Sequence, residues 1–251
     1  MIYKDCIKIW EKGLNEDLTN KFFLNFTYCS IKIRNNETRL RDVEIAFKWR
    51  SVKDFNGKKK TIKEIENHKE IFDNIFELSQ ENKAKLSIDL IKDFHYKLMK
   101  NCYSEELVSK GEKPGQFRKR DYEVGLHGGT STLGVEEKLS SLLDEINSII
   151  INRNNALKVV SNFYCYFHTL HPFADGNGLL GRLLINYMLI GNNLPPIILF
   201  YNDKEQYYLA LEYFNKTKKI DKMFEFIEDQ AYKTWIKDYN LKIKSLKEFL
   251  D

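Results

Sequence analysis

The chain reads as an all-α domain carrying one small β-hairpin. Three observations predict this. Apolar residues recur at helical spacing in six segments. Only 4 prolines and 12 glycines interrupt 251 residues, and Lys, Leu, Ile and Glu are plentiful, a composition that favours long helices over many strands. Six of the glycines fall between residues 111 and 134, where the texture changes.

Residues 1–60 are the least patterned and are expected to hold one or two helices, including Leu40 to Trp49. Residues 64–82 show Ile65, Ile71, Phe72, Ile75, Phe76 and Leu78 on one face. Residues 87–100 begin at a Ser87 cap with Asp89 in the first turn, followed by Leu90, Ile91, Phe94 and Leu98. Residues 111–134 read as a loop with a small hairpin around Tyr122, Val124 and Leu126. Residues 134–151 form an amphipathic stripe of Val135, Leu139, Leu142, Leu143, Ile146 and Ile150. Residues 154–169 are apolar on most faces, as in a helix covered all round, and 179–190 are similar. A last helical stretch starts near 204 and breaks near Lys218. The expected organisation is an N-terminal helical segment over 1–60, a core over 61–232 and a helical extension over 233–251.

Apolar residues make up 43% of the chain and charged residues 30%, enough to bury a sizeable core without staples. The net charge of +4 comes from 40 basic and 36 acidic residues mixed along the sequence, so no nucleic-acid surface is expected. The run Lys58, Lys59, Lys60 follows Asn56-Gly57 and reads as a solvated turn. Cys6, Cys29, Cys102 and Cys165 form no CxxC pair, which argues against metal or redox chemistry and for a reducing compartment. No run of eighteen apolar residues occurs, and the first residues lack the n- and h-regions of a secretory signal. A cytoplasmic protein is expected, and the Lys-, Asn- and Ile-rich composition suggests an AT-rich bacterial genome.

The segment from His171 to Arg182 carries the chemistry: His-Pro-Phe-Ala-Asp-Gly-Asn-Gly-Leu-Leu-Gly-Arg. Pro172 stops the preceding helix and holds His171 at the mouth of a loop. Phe173 is an apolar anchor. Asp175 is a hard oxygen ligand of the kind Mg²⁺ takes beside phosphates. Gly176, Asn177 and Gly178 form a compact turn whose backbone N–H groups can approach a phosphate. A helix follows at once, so its positive end points the same way. Arg182, one turn in, can reach back with a forked cation. A base, a metal ligand, an anion cradle and a cation in one loop suit phosphoryl or nucleotidyl transfer.

This segment resembles the Fic-family signature H-P-F-x-[D/E]-G-N-G-R-x-x-R. Its one mismatch is Leu179, which stands where the family has its first arginine. Three flanking stretches also look like family features. Glu64-Ile65-Glu66-Asn67-His68 is similar to the start of its second core helix. Gly115-Gln116-Phe117-Arg118 is similar to its lead into the substrate-binding hairpin, the flap. Tyr207 to Glu212 with Asn215 is similar to the helix that closes over adenine. The resemblance implies a mainly helical fold with a β-hairpin flap and transfer of AMP from ATP to a Ser, Thr or Tyr hydroxyl of a target protein. It makes His171 the base and Asp175 the Mg²⁺ ligand. Gly176, Asn177, Gly178 and Arg182 would hold phosphates, and Asn215 and Tyr208 would lie at the adenine. A histidine near its ordinary pKa of ~6.5 suits base work at neutral pH.

Many members of that family restrain themselves with a helix bearing [S/T]-x-x-x-E-[G/N], whose glutamate engages the second motif arginine. Residues 30–36, Ser-Ile-Lys-Ile-Arg-Asn-Asn, resemble that frame, but Arg34 stands at the glutamate position. Arg34 is therefore expected to turn to solvent or to another acid, leaving no clasp on Arg182 unless Glu37 supplies it. The remaining histidines draw blander readings. His168 is taken as packed or at the surface, His127 as a minor flap candidate, and His68 and His95 as lying on polar helix faces. Two alternatives follow from the Leu179 mismatch: a Fic-fold transferase using another nucleotide or phosphocholine donor, or a decayed, non-catalytic binding module.

Overall fold

A computed structural model of the chain describes residues 2–13, 16–49, 59–81, 84–122 and 131–237. Among these residues the regular structure is helical throughout, without strands. The helices are α1 (Ile2–Glu11), α2 (Glu16–Arg34), α3 (Leu40–Trp49), α4 (Lys59–Glu81), α5 (Ile88–Met99), α6 (Glu105–Ser109), α7 (Val135–Ser148), α8 (Ala156–Leu170), α9 (Asn177–Gly191), α10 (Lys204–Thr217) and α11 (Asp221–Tyr232). A wider π-type turn over Lys233–Lys237 follows α11. The N-terminal sixty residues thus hold three helices rather than one or two. The hairpin expected around Val124 and Leu126, and His127 with it, lies outside the described residues.

The helix ends follow local chemistry. Ser87 Oγ accepts from the Leu90 N–H at 3.1 Å and Ser104 Oγ from the Leu107 N–H at 3.3 Å, satisfying first-turn donors that have no helical partner. Lys218 ends α10 in the left-handed conformation, at φ 57°.

α8 and α9 form the centre. α9 packs on α8, α4, α5 and α2, and it is buried along almost its whole length from Leu179 to Ile190. Phe163, Tyr164 and Phe167 of α8 are fully enclosed; each large side chain of this kind stabilises by roughly 1.5–3 kcal/mol. Gly181 lets the two helices approach, since a Cβ there would come 2.7 Å from the Tyr164 ring. α1 packs on α11, and the Trp235 ring lies between Trp10, edge-on at 5.7 Å, and Phe22, stacked at 6.0 Å.

The extended stretch between α9 and α10 has its backbone satisfied by side chains. Asn186 accepts from the Ile197 N–H at 2.8 Å and donates to the Ile197 carbonyl at 2.9 Å. Thr234 Oγ1 accepts from Ile198 N–H, and Gln230 Oε1 from Phe200 N–H. These polar residues are buried because they replace a missing strand partner.

His68 and His95 are not on polar faces, as their sequence context was read; both are 0% exposed. His68 sits three residues after Ile65 and three before Ile71, within the buried stripe of α4. It shares a 2.9 Å hydrogen bond with Thr27 of α2. Lys59 and Lys60, expected in a solvated turn, begin α4 instead.

Candidate functional site

α8 ends at Leu170 because Pro172 cannot continue a helix and disfavours helical geometry in the residue before it. His171 consequently adopts φ 50°, ψ 60°, with its N–H donating to the Phe167 carbonyl at 3.1 Å. Arg118 locks this turn from outside. Its Nε donates to the His171 carbonyl at 2.7 Å and its backbone N–H to the Pro172 carbonyl at 3.0 Å. Nη1 of the same side chain donates to the Arg120 carbonyl at 2.9 Å. The His171 ring is partly exposed, but Nδ1 is enclosed without a hydrogen-bond partner. Burial and the neighbouring Arg118 charge push its pKa down to about 4, against weaker opposing pulls from the His168 carbonyl and Asp175. It does not keep the ordinary value expected from the sequence, and its imidazole is neutral at pH 7. His168 lies edge-on to His171, with ring centroids 6.2 Å apart.

The loop after His171 is anchored in the core. Phe173 is 0% exposed and stacks on His95, 3.7 Å away and nearly parallel. His95 Nδ1 accepts from the Gly115 N–H at 2.8 Å, so Nε2 carries the proton and donates to the Asp175 carbonyl at 2.8 Å. Burial lowers the His95 pKa to about 4, which keeps this neutral tautomer. Gly176 takes φ 83° and caps α9. A Cβ there would meet the Met99 Sδ at 2.6 Å, so position 176 needs glycine for both conformation and space. Asn177 and Gly178 form the first turn of α9 rather than a separate turn. The Asn177 side chain serves the loop: its amide donates to the Phe173 carbonyl at 2.7 Å and its oxygen accepts from the Phe173 N–H at 3.0 Å.

The carboxylate of Asp175 is fully engaged. Arg34, the last residue of α2, donates from Nη1 to Oδ1 at 2.7 Å and from Nη2 to Oδ2 at 2.6 Å. Lys60 of α4 reaches Oδ2 at 3.1 Å, and the Gly176 N–H reaches Oδ1 at 2.8 Å. Burial alone would raise the Asp175 pKa, but Arg34 and then Lys60 outweigh it and hold it down at about 2. Arg34 Nε also lies 3.3 Å from Glu64 of α4, a carboxylate 1% exposed whose oxygens make no hydrogen bond. Burial raises the Glu64 pKa against the pull of Arg34 and Lys60. Arg34 thus turns to acids, as its replacement of a glutamate implied. The Lys60 pairing was not foreseen.

Arg182 is 2% exposed and points at α2. Nε donates to Ser30 Oγ at 2.9 Å and Nη2 to the Ser30 carbonyl at 2.7 Å. Glu37 accepts from Thr61 Oγ1 at 2.8 Å and from the Asn35 amide. Leu179 is 2% exposed within the core; its side chain does not stand at a surface where an arginine would reach phosphate. On the far side of α8, Asn215 Oδ1 accepts from Thr169 Oγ1 at 2.8 Å. Tyr208 is 46% exposed, its ring 4.8 Å from that of the buried Tyr207. A cavity of about 480 Å³ lies between α7, α8 and α10, lined by Leu142, Tyr166, Thr169, Leu170, Phe214 and Lys218 among others.

Sequence spacing singled out His171, Asp175 and Arg182 and missed the residues packed around the first two: His95, Lys60, Glu64 and the role of Arg118. A signal for His95 was present, since it follows Ile91 and precedes Met99 by four residues on one helix face. As arranged, the residues do not fit a Mg²⁺ ion. Every donor position at Asp175 is taken, and among the described residues no group of three or more His, Cys, Asp and Glu side chains could hold a metal.

Residues 85–189 match the Fic/DOC family model. The chain is 28% identical over 138 residues to the protein adenylyltransferase fic-1 of Caenorhabditis elegans, covering 55% of this chain and 26% of that protein. It is 32% identical over 124 residues to the protein adenylyltransferase Fic of Drosophila mojavensis, covering 48% of this chain and 24% of that one. The matched part therefore spans about a quarter of these relatives' length. A Fic domain containing signalling protein from Bacteroides thetaiotaomicron shares the fold at TM-score 0.79 and 18% identity, over 94% of both chains. Fic-1 (residues 134–508) from C. elegans shares it at TM-score 0.78 and 16% identity, over 97% of this chain and 72% of that one. No helix among the described residues is long and apolar enough to cross a membrane.

Proposed function

We propose that the chain, whose residues 85–189 match the Fic/DOC family model, transfers AMP from ATP to a hydroxyl group of a target protein, with His171 as the base. The observation that carries this reading is the neutral His171 imidazole, fixed in a left-handed turn beside Asp175 and the start of α9. The target oxygen attacks the α-phosphorus. The bond from that phosphorus to the bridging oxygen breaks, and pyrophosphate leaves. The hydroxyl proton goes to His171 Nε2, since Nδ1 is enclosed. The N–H groups at the start of α9 face the departing charge, and an approaching polyanion raises the low His171 pKa towards a working value. Adenine is assigned to the side of Asn215 and Tyr208, next to the cavity between α7, α8 and α10. Residues 61–232 are the catalytic unit, and the first sixty residues supply Ser30 and Arg34.

A second reading, a binding module without transfer, is favoured by the pairing of Asp175 with Arg34 and of Arg182 with Ser30. A third, another donor, keeps its basis in Leu179. One incubation separates them. The chain is mixed with cell protein and labelled ATP, UTP, GTP or CDP-choline, then run on a gel. Protein-bound label from ATP alone, lost in His171→Ala, supports AMP transfer. Label from another donor identifies the third reading, and no label with any donor identifies the second.

A further inference from the structure

Asp175 is expected to ligate a divalent cation, yet it is saturated by the protein itself. A carboxylate offers about four lone-pair positions. Here Oδ1 receives Arg34 Nη1 and the Gly176 N–H, and Oδ2 receives Arg34 Nη2 and Lys60 Nζ. The charges balance as well. Arg34 and Lys60 oppose Asp175 and Glu64, and Glu64 is 1% exposed with no hydrogen bond of its own. A dication entering this cluster, whose two acids are already matched in charge by two cations, would meet the guanidinium at close range. Without Arg34, two acids would face one lysine, and the cluster would attract a cation.

We propose that Arg34 sets the cation requirement of the site. Its guanidinium holds the position at Asp175 that a divalent cation would take, so the two bind in mutual exclusion. The determinant lies on α2, outside the motif. It is held in place by the contact one turn earlier on the same helix, where Ser30 receives Arg182. Release of α2 from α9 is then the event that opens Asp175 to metal. This inference rests on the reading above only for the identity of Asp175 as a metal ligand.

The test uses Mn²⁺ alone, with no nucleotide and no turnover, so a failed transfer assay has no bearing on it. Free Mn²⁺ is followed by electron paramagnetic resonance against the unaltered chain, Arg34→Gln and Arg34→Met. Arg39→Gln serves as a control for simple loss of surface charge. Both Arg34 variants should bind Mn²⁺ at least about tenfold more tightly than the unaltered chain. Adding Asp175→Asn should abolish the gain. The proposal is overturned if the unaltered chain binds as tightly as the variants, or if Arg39→Gln gains as much. It is equally overturned if the gain survives Asp175→Asn. On the unaltered chain, the Nε–H resonance of Arg34 should stay in place as Mg²⁺ is added. Saturable movement of that resonance at low Mg²⁺ contradicts the exclusion without any substitution.

Discussion

Ser30 and Arg34 lie one turn apart on α2 and engage the two charged residues of the motif: Ser30 takes the Arg182 guanidinium at 2.9 Å and Arg34 takes the Asp175 carboxylate at 2.6 Å. One helix thus holds an acid of the loop before α9 and an arginine within α9 itself. The resembling family pattern places a glutamate here against the arginine. In this chain the charges are exchanged, and the acid of the motif is held instead.

Replacing His171 with alanine should lower the rate of AMP transfer by about 10²–10⁴-fold, the usual effect of losing a general base. The fold should persist, since Nδ1 makes no hydrogen bond and the αL turn is held by Arg118. Quantitative labelling at saturating ATP, with circular dichroism as the folding control, checks this. Unchanged labelling would remove His171 from the mechanism.

Arg118 acts on His171 through its backbone and its charge. Arg118→Gln should slow transfer and also move the acidic limb of the pH–rate profile to higher pH. The sign follows from the lowered pKa: the cation helps to hold the imidazole near 4, and its removal lets that value rise. A purely structural loss would reduce the rate without moving the limb.

Leu179 is enclosed between α9 and its neighbours, so the arginine that completes the family signature is not accommodated here as the sequence alone implied. Leu179→Arg should destabilise the chain by roughly 2–4 kcal/mol through burial of an unpaired charge. Urea unfolding measures it. A stable variant with improved nucleotide affinity would restore the expectation that this position faces phosphate.

Four histidines make stability acid-sensitive. Burial lowers His68 and His168 to about 3 and His95 and His171 to about 4, below an unfolded value of ~6.5. The unfolded chain therefore binds protons first. Stability is full above ~6.5 and is lost as pH falls towards 4, by about 1.4 kcal/mol per pH unit for each histidine. Asp175 adds its own loss only lower, between the ordinary carboxylate range and about 2. His68→Gln should reduce the slope between pH 6 and 5 by about a quarter of the four-histidine effect. An unchanged slope would mean that His68 titrates normally.

Much of this architecture was legible from periodicity, because α5, α7, α8 and α9 each carry a stripe or a fully apolar run, and Pro172 and Gly176 mark the ends that frame the loop. The legible part of the site was local: His171, Asp175 and Arg182 lie on one helix–loop–helix connection. What was not legible depends on contacts across the chain. Arg34 meets Asp175 over 141 residues of sequence, and no local pattern records such a pairing. Likewise Thr27 and His68 are buried because α2 and α4 pack together, and neither residue type announces it.

The most direct test compares ATP labelled on the α-phosphate with ATP labelled on the γ-phosphate, using the unaltered chain and Arg34→Gln with cell protein. The account predicts that α-label becomes protein-bound in at least one of the two, that γ-label leaves as pyrophosphate, and that His171→Ala abolishes the signal in both backgrounds. Retention of γ-label on protein, or absence of α-label from both chains, would contradict it.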